Sequence, residues 1–214
     1  MRKRVLLLAV SCREGGLCPG GLDLDAPSKW IRIVRDDGQA GAVQGREIDF
    51  AHPLDIIEFD GRPMPKGKQR ENWVIDNKSC KKIGSRTQVV LDWAYQQYAY
   101  NGFWGNNRAY LNEQEFAAIN VPSESIMKVS NVRIYHNSWN KAKIDFDWSG
   151  VGSRILGVSM TDQDFYDKIS VGDVNFNNAY IVTAIPKEAD WTNPNTGEKQ
   201  AYKFVSKVYC IAPC

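Results

Sequence analysis

The chain has 214 residues, of which 43 % are hydrophobic and 24 % charged, and its formal net charge is +2. That composition excludes a disordered, charge-dominated chain, and no apolar run approaches the roughly 18–20 residues of a membrane-spanning helix. The small net charge also argues against blanket electrostatic attachment to nucleic acid. The charge is uneven, however. Residues 1–110 carry 17 Lys and Arg against 13 Asp and Glu, and the remainder carries 10 against 12. Much of the excess lies between Arg62 and Arg86, a stretch that reads as a solvated surface or an anion-facing patch.

The first element is Val5–Val10, a continuous apolar run suited to a strand covered on both faces. Basic residues before it and Cys12 after it imitate a lipoprotein signal. With six residues the run is shorter than the usual apolar region of such signals, so the expectation is a first strand in a cytoplasmic protein. The five cysteines, 12, 18, 80, 210 and 214, contain no C-x-x-C pair, and thiols are expected. A long glycine-rich connection holding Arg13 leads to Trp30–Arg35. Such long loops are more often functional than structural, and this one is expected to close over a ligand. Alternation places Trp30, Arg32 and Val34 on one face of the next strand and Ile31, Ile33 and Arg35 on the other.

Pro53–Phe59 reads as a further strand, and Gln69–Ile75 as another that runs from polar to apolar. Thr87–Tyr100 fits a helix with Val89, Val90, Trp93, Ala94 and Gln97 on one stripe. Phe103-Trp104 is an aromatic loop. Asn112 stands three residues before Glu115, the spacing of a capping box. The boundaries expected are a first domain over 1–110, a linker over 111–124 and a second domain over 125–214. Strand patterning returns in the second half at 126–135, 141–148, 153–159, 179–185 and 202–211. Ile144, Phe146 and Trp148 alternate with Lys143, Asp145 and Asp147, which places both carboxylates on a solvent face. Thr161-Asp162 reads as the cap of a short helix over Gln163–Ile169. Short strands with frequent turns predict small barrels or sandwiches.

An ordered set of motifs accompanies this pattern: Ser11-Cys-Arg13 with Gly16, Cys18 and a following Gly20 or Gly21; Trp30-Ile31-Arg32; Pro53-Leu-Asp-Ile-Ile57; Gln69-Arg-Glu71-Asn72; Leu156–Asp162; and Tyr202-Lys-Phe-Val205. Together they resemble the bacterial dual OB-domain family, small proteins found near conflict and defence genes. Ile33 replaces a proline of that pattern, Ser206 an alanine and Gln163 a proline, and the segment near Ala184-Ile185 lacks a Ser-Leu-Gly. The resemblance implies a mostly β chain of two OB-like five-stranded barrels with a partly helical connecting segment. It also implies binding of single-stranded nucleic acid or a nucleotide-like ligand.

The candidate ligand-binding residues are Arg13, Trp30, Arg32, Arg35, Gln69, Glu71, Asn72 and Trp73. Aromatics stack bases and arginines meet phosphates, while Gln and Asn both donate and accept, as reading a base edge requires. Trp73, Phe103 and Trp104 join Trp30 as possible stackers. Competing readings are a core role for Trp30, a structural ion pair between Arg32 and Asp55, and backbone capping by Gln69–Asn72. No Ser–His–Asp order, phosphate-binding P-loop or H-E-x-x-H run appears, so no catalytic residue, cofactor or metal is expected. The alternatives are a small-ligand sensor or protein-interaction module and, behind both, a metal-dependent hydrolase.

Overall fold

The computed structural model describes residues 1–214 except 14, 15, 27, 39, 45–47, 77, 78, 100–102, 150, 151 and 212–214; the side chains of Arg13, Ser153 and Asp167 also lie outside the described residues. The chain divides into two compact units, Met1–Ala99 and Tyr100–Cys214.

The first unit holds β1 (Arg2–Arg13), β2 (Gly16–Asp23), β3 (Trp30–Val34), β4 (Asp55–Pro63), β5 (Asn72–Ile75), β6 (Lys81–Ser85) and helix α1 (Val90–Tyr98). The sheet runs β1-β2-β3-β5-β4-β6, and β1 also pairs with β4. That extra pairing closes five strands into a barrel, with β6 attached to β4. β3 and β5 are parallel, while the other pairings are antiparallel. β1 can serve both edges because it is long: Arg2–Leu6 face β4 and Val5–Arg13 face β2. The interior takes Val5, Leu7, Ile31, Ile33, Ile57, Phe59 and Ile75. The alternation read along β3 is therefore correct, with Ile31 and Ile33 turned inward.

β2 corrects the expected loop. Gly16–Asp23 is a strand paired antiparallel with β1, although its glycines and proline read as a connection. Gly21 shows why glycine stands there: a Cβ on it would lie 2.1 Å from the Leu6 carbonyl oxygen. The helix stripe also shifts. α1 buries Leu91, Ala94 and Tyr98, whereas Val89 is 83 % exposed and Trp93 42 %. The Tyr98 hydroxyl donates to the Asp23 carbonyl at 3.4 Å, tying the end of α1 to the end of β2.

The second unit opens with β7 (Tyr110–Asn112) and α2 (Glu113–Ala118), in a stretch whose sequence reads as a linker. Leu111 and Phe116 belong to this unit's core. The expected capping box is present: Asn112 Oδ1 accepts from the Glu115 N–H at 2.8 Å, and Glu115 Oε2 from the Asn112 N–H at 3.0 Å. There follow β8 (Glu124–His136), β9 (Ala142–Trp148), β10 (Ser153–Met160), a one-turn 3₁₀ segment (Gln163–Phe165) running into α3 (Tyr166–Ile169), β11 (Val174–Ala184), β12 (Trp191–Thr192), β13 (Lys199–Tyr202) and β14 (Phe204–Cys210). Asp162 caps the 3₁₀ turn, accepting from the Asp164 N–H at 3.2 Å.

β10-β14-β11-β8-β9 form a closed barrel, and β12-β13-β7 a separate small sheet. Counted in chain order, β8, β9, β10, β11 and β14 repeat the circuit of the first unit: the long first strand pairs with the second and fourth, and the third runs parallel to the fifth. Both units are thus OB barrels, as the resemblance implied. Cys12, Cys18 and Cys80 are thiols as expected, whereas Cys210 is in a disulfide. Among the described residues, no helix is long and apolar enough to cross a membrane.

Candidate nucleic-acid interface

In the first barrel the outward face of β3 carries Trp30, Arg32 and Val34. The register sets Gly20 of β2 opposite Arg32 on one side, and Asn72 of β5 opposite it on the other. The backbone reinforces the pairing, since the Arg32 N–H donates to the Glu71 carbonyl at 3.0 Å. Arg32 is 5 % exposed and Asn72 fully buried. Arg32 Nη1 and both polar atoms of Asn72 have no hydrogen-bond partner among the described residues. Leaving a buried polar atom unpaired costs roughly 1–3 kcal/mol, so three in neighbouring side chains weigh against stability. Two donors and one acceptor converge there, a set able to read a base edge.

Trp30 lies one outward position before Arg32, opposite Leu22, and is 4 % exposed. Gln69 sits in the β4–β5 connection, where its backbone exchanges hydrogen bonds with Lys66 at 2.9 and 3.1 Å, and it too is buried. The structure therefore brings Trp30, Arg32 and Asn72 onto one face, with Gln69 and Glu71 on the chain leading into it. Trp73 does not share that face. It packs partly against the barrel core, with Lys3 Nζ 5.0 Å from its ring centroid. Arg35 points elsewhere as well. It lines a cleft of about 660 Å³ with Arg62, Asp36, Asp60 and Asp76, charges of both signs. The side chain of Arg13 lies outside the described residues.

Other expectations change. Asp55 does not pair with Arg32: it binds Lys82 at 2.7 Å, the Ser85 hydroxyl at 2.8 Å and the His52 N–H at 3.1 Å. Much of the basic run is likewise engaged, with Lys81 on Glu58 and Arg62 on Asp36. Phe103 and Trp104 are buried in the core of the second unit and offer no stacking face. Asp145 is buried as well, although it lies on the outward face. It accepts from the Tyr135 hydroxyl at 3.2 Å and the Gly157 N–H at 2.7 Å. Among the described residues no group of three or more His, Cys, Asp or Glu is placed to hold a metal ion.

The second unit contains two features outside the candidate residues read from the sequence. Lys203 is fully buried, and its Nζ donates to the carbonyls of Phe103 and Asn106 and to Asn106 Oδ1. Burial pushes this ammonium down to about 7, with Glu115 acting in the opposite direction. Trp139 is 79 % exposed at the β8–β9 turn. Its one sequence cue is a lone aromatic inside a run of turn-forming Asn and Ser.

A family model described as the dual OB-containing domain matches residues 3–208. No curated protein and no solved structure matches the chain.

Proposed function

Because the chain belongs to the dual OB-containing domain family, we propose that it is a non-enzymatic binding protein whose first barrel takes single-stranded nucleic acid or a nucleotide-like ligand. The observation that carries this reading is the pair of register partners Arg32 and Asn72, buried side by side with three polar atoms unpaired. Arg32 belongs to β3, one of the two strands whose face OB barrels commonly use for oligonucleotides, and Asn72 adjoins it on β5. In this reading Arg32 and Asn72 contact a base edge or phosphate, Trp30 packs beside them, and Gln69 and Glu71 border the site. Arg35, Trp73 and Arg13 stand as peripheral candidates. The bacterial conflict or defence setting that the resemblance implies, and the cytoplasmic location expected from the short first apolar run, belong to the same proposal.

A second reading is favoured by the same atoms' lack of solvent access. A sealed polar cluster suits one small nucleotide-like ligand, with the protein acting as a sensor for a partner. Salt separates the two readings, because contacts to several phosphates make affinity fall steeply with ionic strength. The test is fluorescence anisotropy at two salt concentrations with labelled single-stranded DNA, single-stranded RNA, duplex DNA and mononucleotides. Salt-sensitive binding to single strands that weakens in a folded Arg32→Ala variant is expected. Unchanged affinity in that variant removes Arg32 from the site.

A further inference from the structure

The β8–β9 turn of the second barrel displays Trp139 in a fixed frame. Asn137 Oδ1 accepts from the Trp139 N–H at 3.1 Å and from the Lys141 N–H at 2.9 Å. The Asn137 N–H donates to the Lys141 carbonyl at 3.0 Å, and the Asn140 N–H to the Asn137 carbonyl at 2.9 Å. Asn140 takes the left-handed conformation, φ +54°, which asparagine tolerates. A tight turn of this kind needs no tryptophan, and exposing one forgoes the burial of a large apolar surface. What the turn provides is a preordered ring, which lowers the cost of binding to it.

Two cations, Lys141 and Lys143, stand just before and within the strand that leaves the turn. Ala142 and Ile144 face the core, so Lys141 and Lys143 face outward. Lys143 sits in a cross-strand row between Tyr135 and Ser159. Its Nζ meets the Ser159 hydroxyl at 3.0 Å. Neither lysine has a carboxylate within ion-pair distance among the described residues. The nearby acids are already engaged: Asp145 by Tyr135 and Gly157, and Asp147 by Asn131 at 2.6 Å and Arg154 at 3.0 Å. Half burial holds the Lys143 ammonium below its ordinary range. A half-buried cation with only a hydroxyl for company gains from an incoming anion.

We infer that Trp139, Lys141 and Lys143 form a second nucleic-acid site, in which one base of a single strand stacks on the indole and its phosphate lies on the two lysines. A flat apolar ring followed two and four residues later by ammonium groups without a carboxylate offers both chemical parts that a nucleotide unit needs. A lipid surface requires a broader apolar face, and a single ring does not supply one.

The test uses the full-length chain and a labelled single-stranded DNA homopolymer, in the wild-type background and with Arg32→Ala. The Arg32→Ala background isolates this site from the first barrel, so failure of either site is seen separately. Trp139→Ala is expected to weaken binding about tenfold or more in the Arg32→Ala background, and Trp139→Phe to restore most of it. Lys141→Gln with Lys143→Gln is expected to flatten the salt dependence, lowering its slope by roughly 0.7 for each phosphate that the lysines no longer neutralise. Equal affinity for folded Trp139→Ala and its parent in both backgrounds overturns the proposal. So does Trp139-dependent binding to anionic phosphatidylserine vesicles without binding to the oligonucleotide.

Discussion

Arg32 and Asn72 are register partners on two parallel strands, and both are buried with polar atoms unpaired. Parallel pairing of the third and fifth strands is what makes them neighbours, since forty residues of sequence separate them. The closing step of the barrel therefore also builds the polar cluster.

That cluster sets stability against function. Asn72 is desolvated at its side-chain amide without that amide gaining a hydrogen bond among the described residues. Replacing it with the similarly sized Leu is expected to stabilise the first unit by about 1–3 kcal/mol. The same change is expected to weaken ligand binding. Denaturant unfolding and anisotropy on one Asn72→Leu preparation check both. A less stable variant would mean that the amide makes hydrogen bonds that matter to folding.

Gly21→Ala is expected to destabilise the first barrel by at least about 1–3 kcal/mol, the usual range for overpacking. The added methyl would meet the Leu6 carbonyl carbon and oxygen and Leu7 Cα, all backbone atoms without a rotamer to change. Urea unfolding measures this. An unchanged midpoint would show that β1 and β2 are not held so close at this point.

Lys203 gives the second unit a pH dependence with a definite sign. Its ammonium is pushed down to about 7, against 10.5 for an ordinary lysine. Between those values the unfolded chain binds more protons than the folded one, so stability rises with pH through this window and levels off below it. The wild-type melting temperature is expected to rise more from pH 7 to pH 9.5 than that of Lys203→Met. The difference between the two slopes isolates this side chain from other titrating groups. Parallel slopes would show that Lys203 keeps an ordinary affinity for its proton.

What depends on near neighbours was legible in the sequence. The alternation of Ile31 and Ile33 against Trp30 and Arg32 marks the faces of β3. Asn112 and Asp162 announce their caps through short spacing alone. The β2 strand stays hidden because glycine at Gly20 and Gly21 weighs against a strand in any local reading. Here the lack of a side chain is a condition of the strand, since β1 passes too close for a Cβ at Gly21. Asp55 meets Lys82 rather than Arg32 because its partners arrive through β4–β6 pairing, which no local pattern encodes. Trp139 is silent for a related reason: strand periodicity starts two residues later, and exposure at a turn is settled in three dimensions.

The small sheet β12-β13-β7 has a consequence for how the second barrel can be inherited. β13 belongs to the connection between the fourth and fifth barrel strands, and it pairs with Tyr110–Asn112, which precede the first. Lys203 fastens the same connection to Phe103 and Asn106. A recombination event that copied Glu124–Cys210 alone would strand Ala201 without its β7 partner and leave the Lys203 ammonium facing water. The transferable cassette is longer than the barrel it carries. It must include the stretch from Phe103 onward, and a gene fusion that respects only the strands of the barrel would deliver a damaged part.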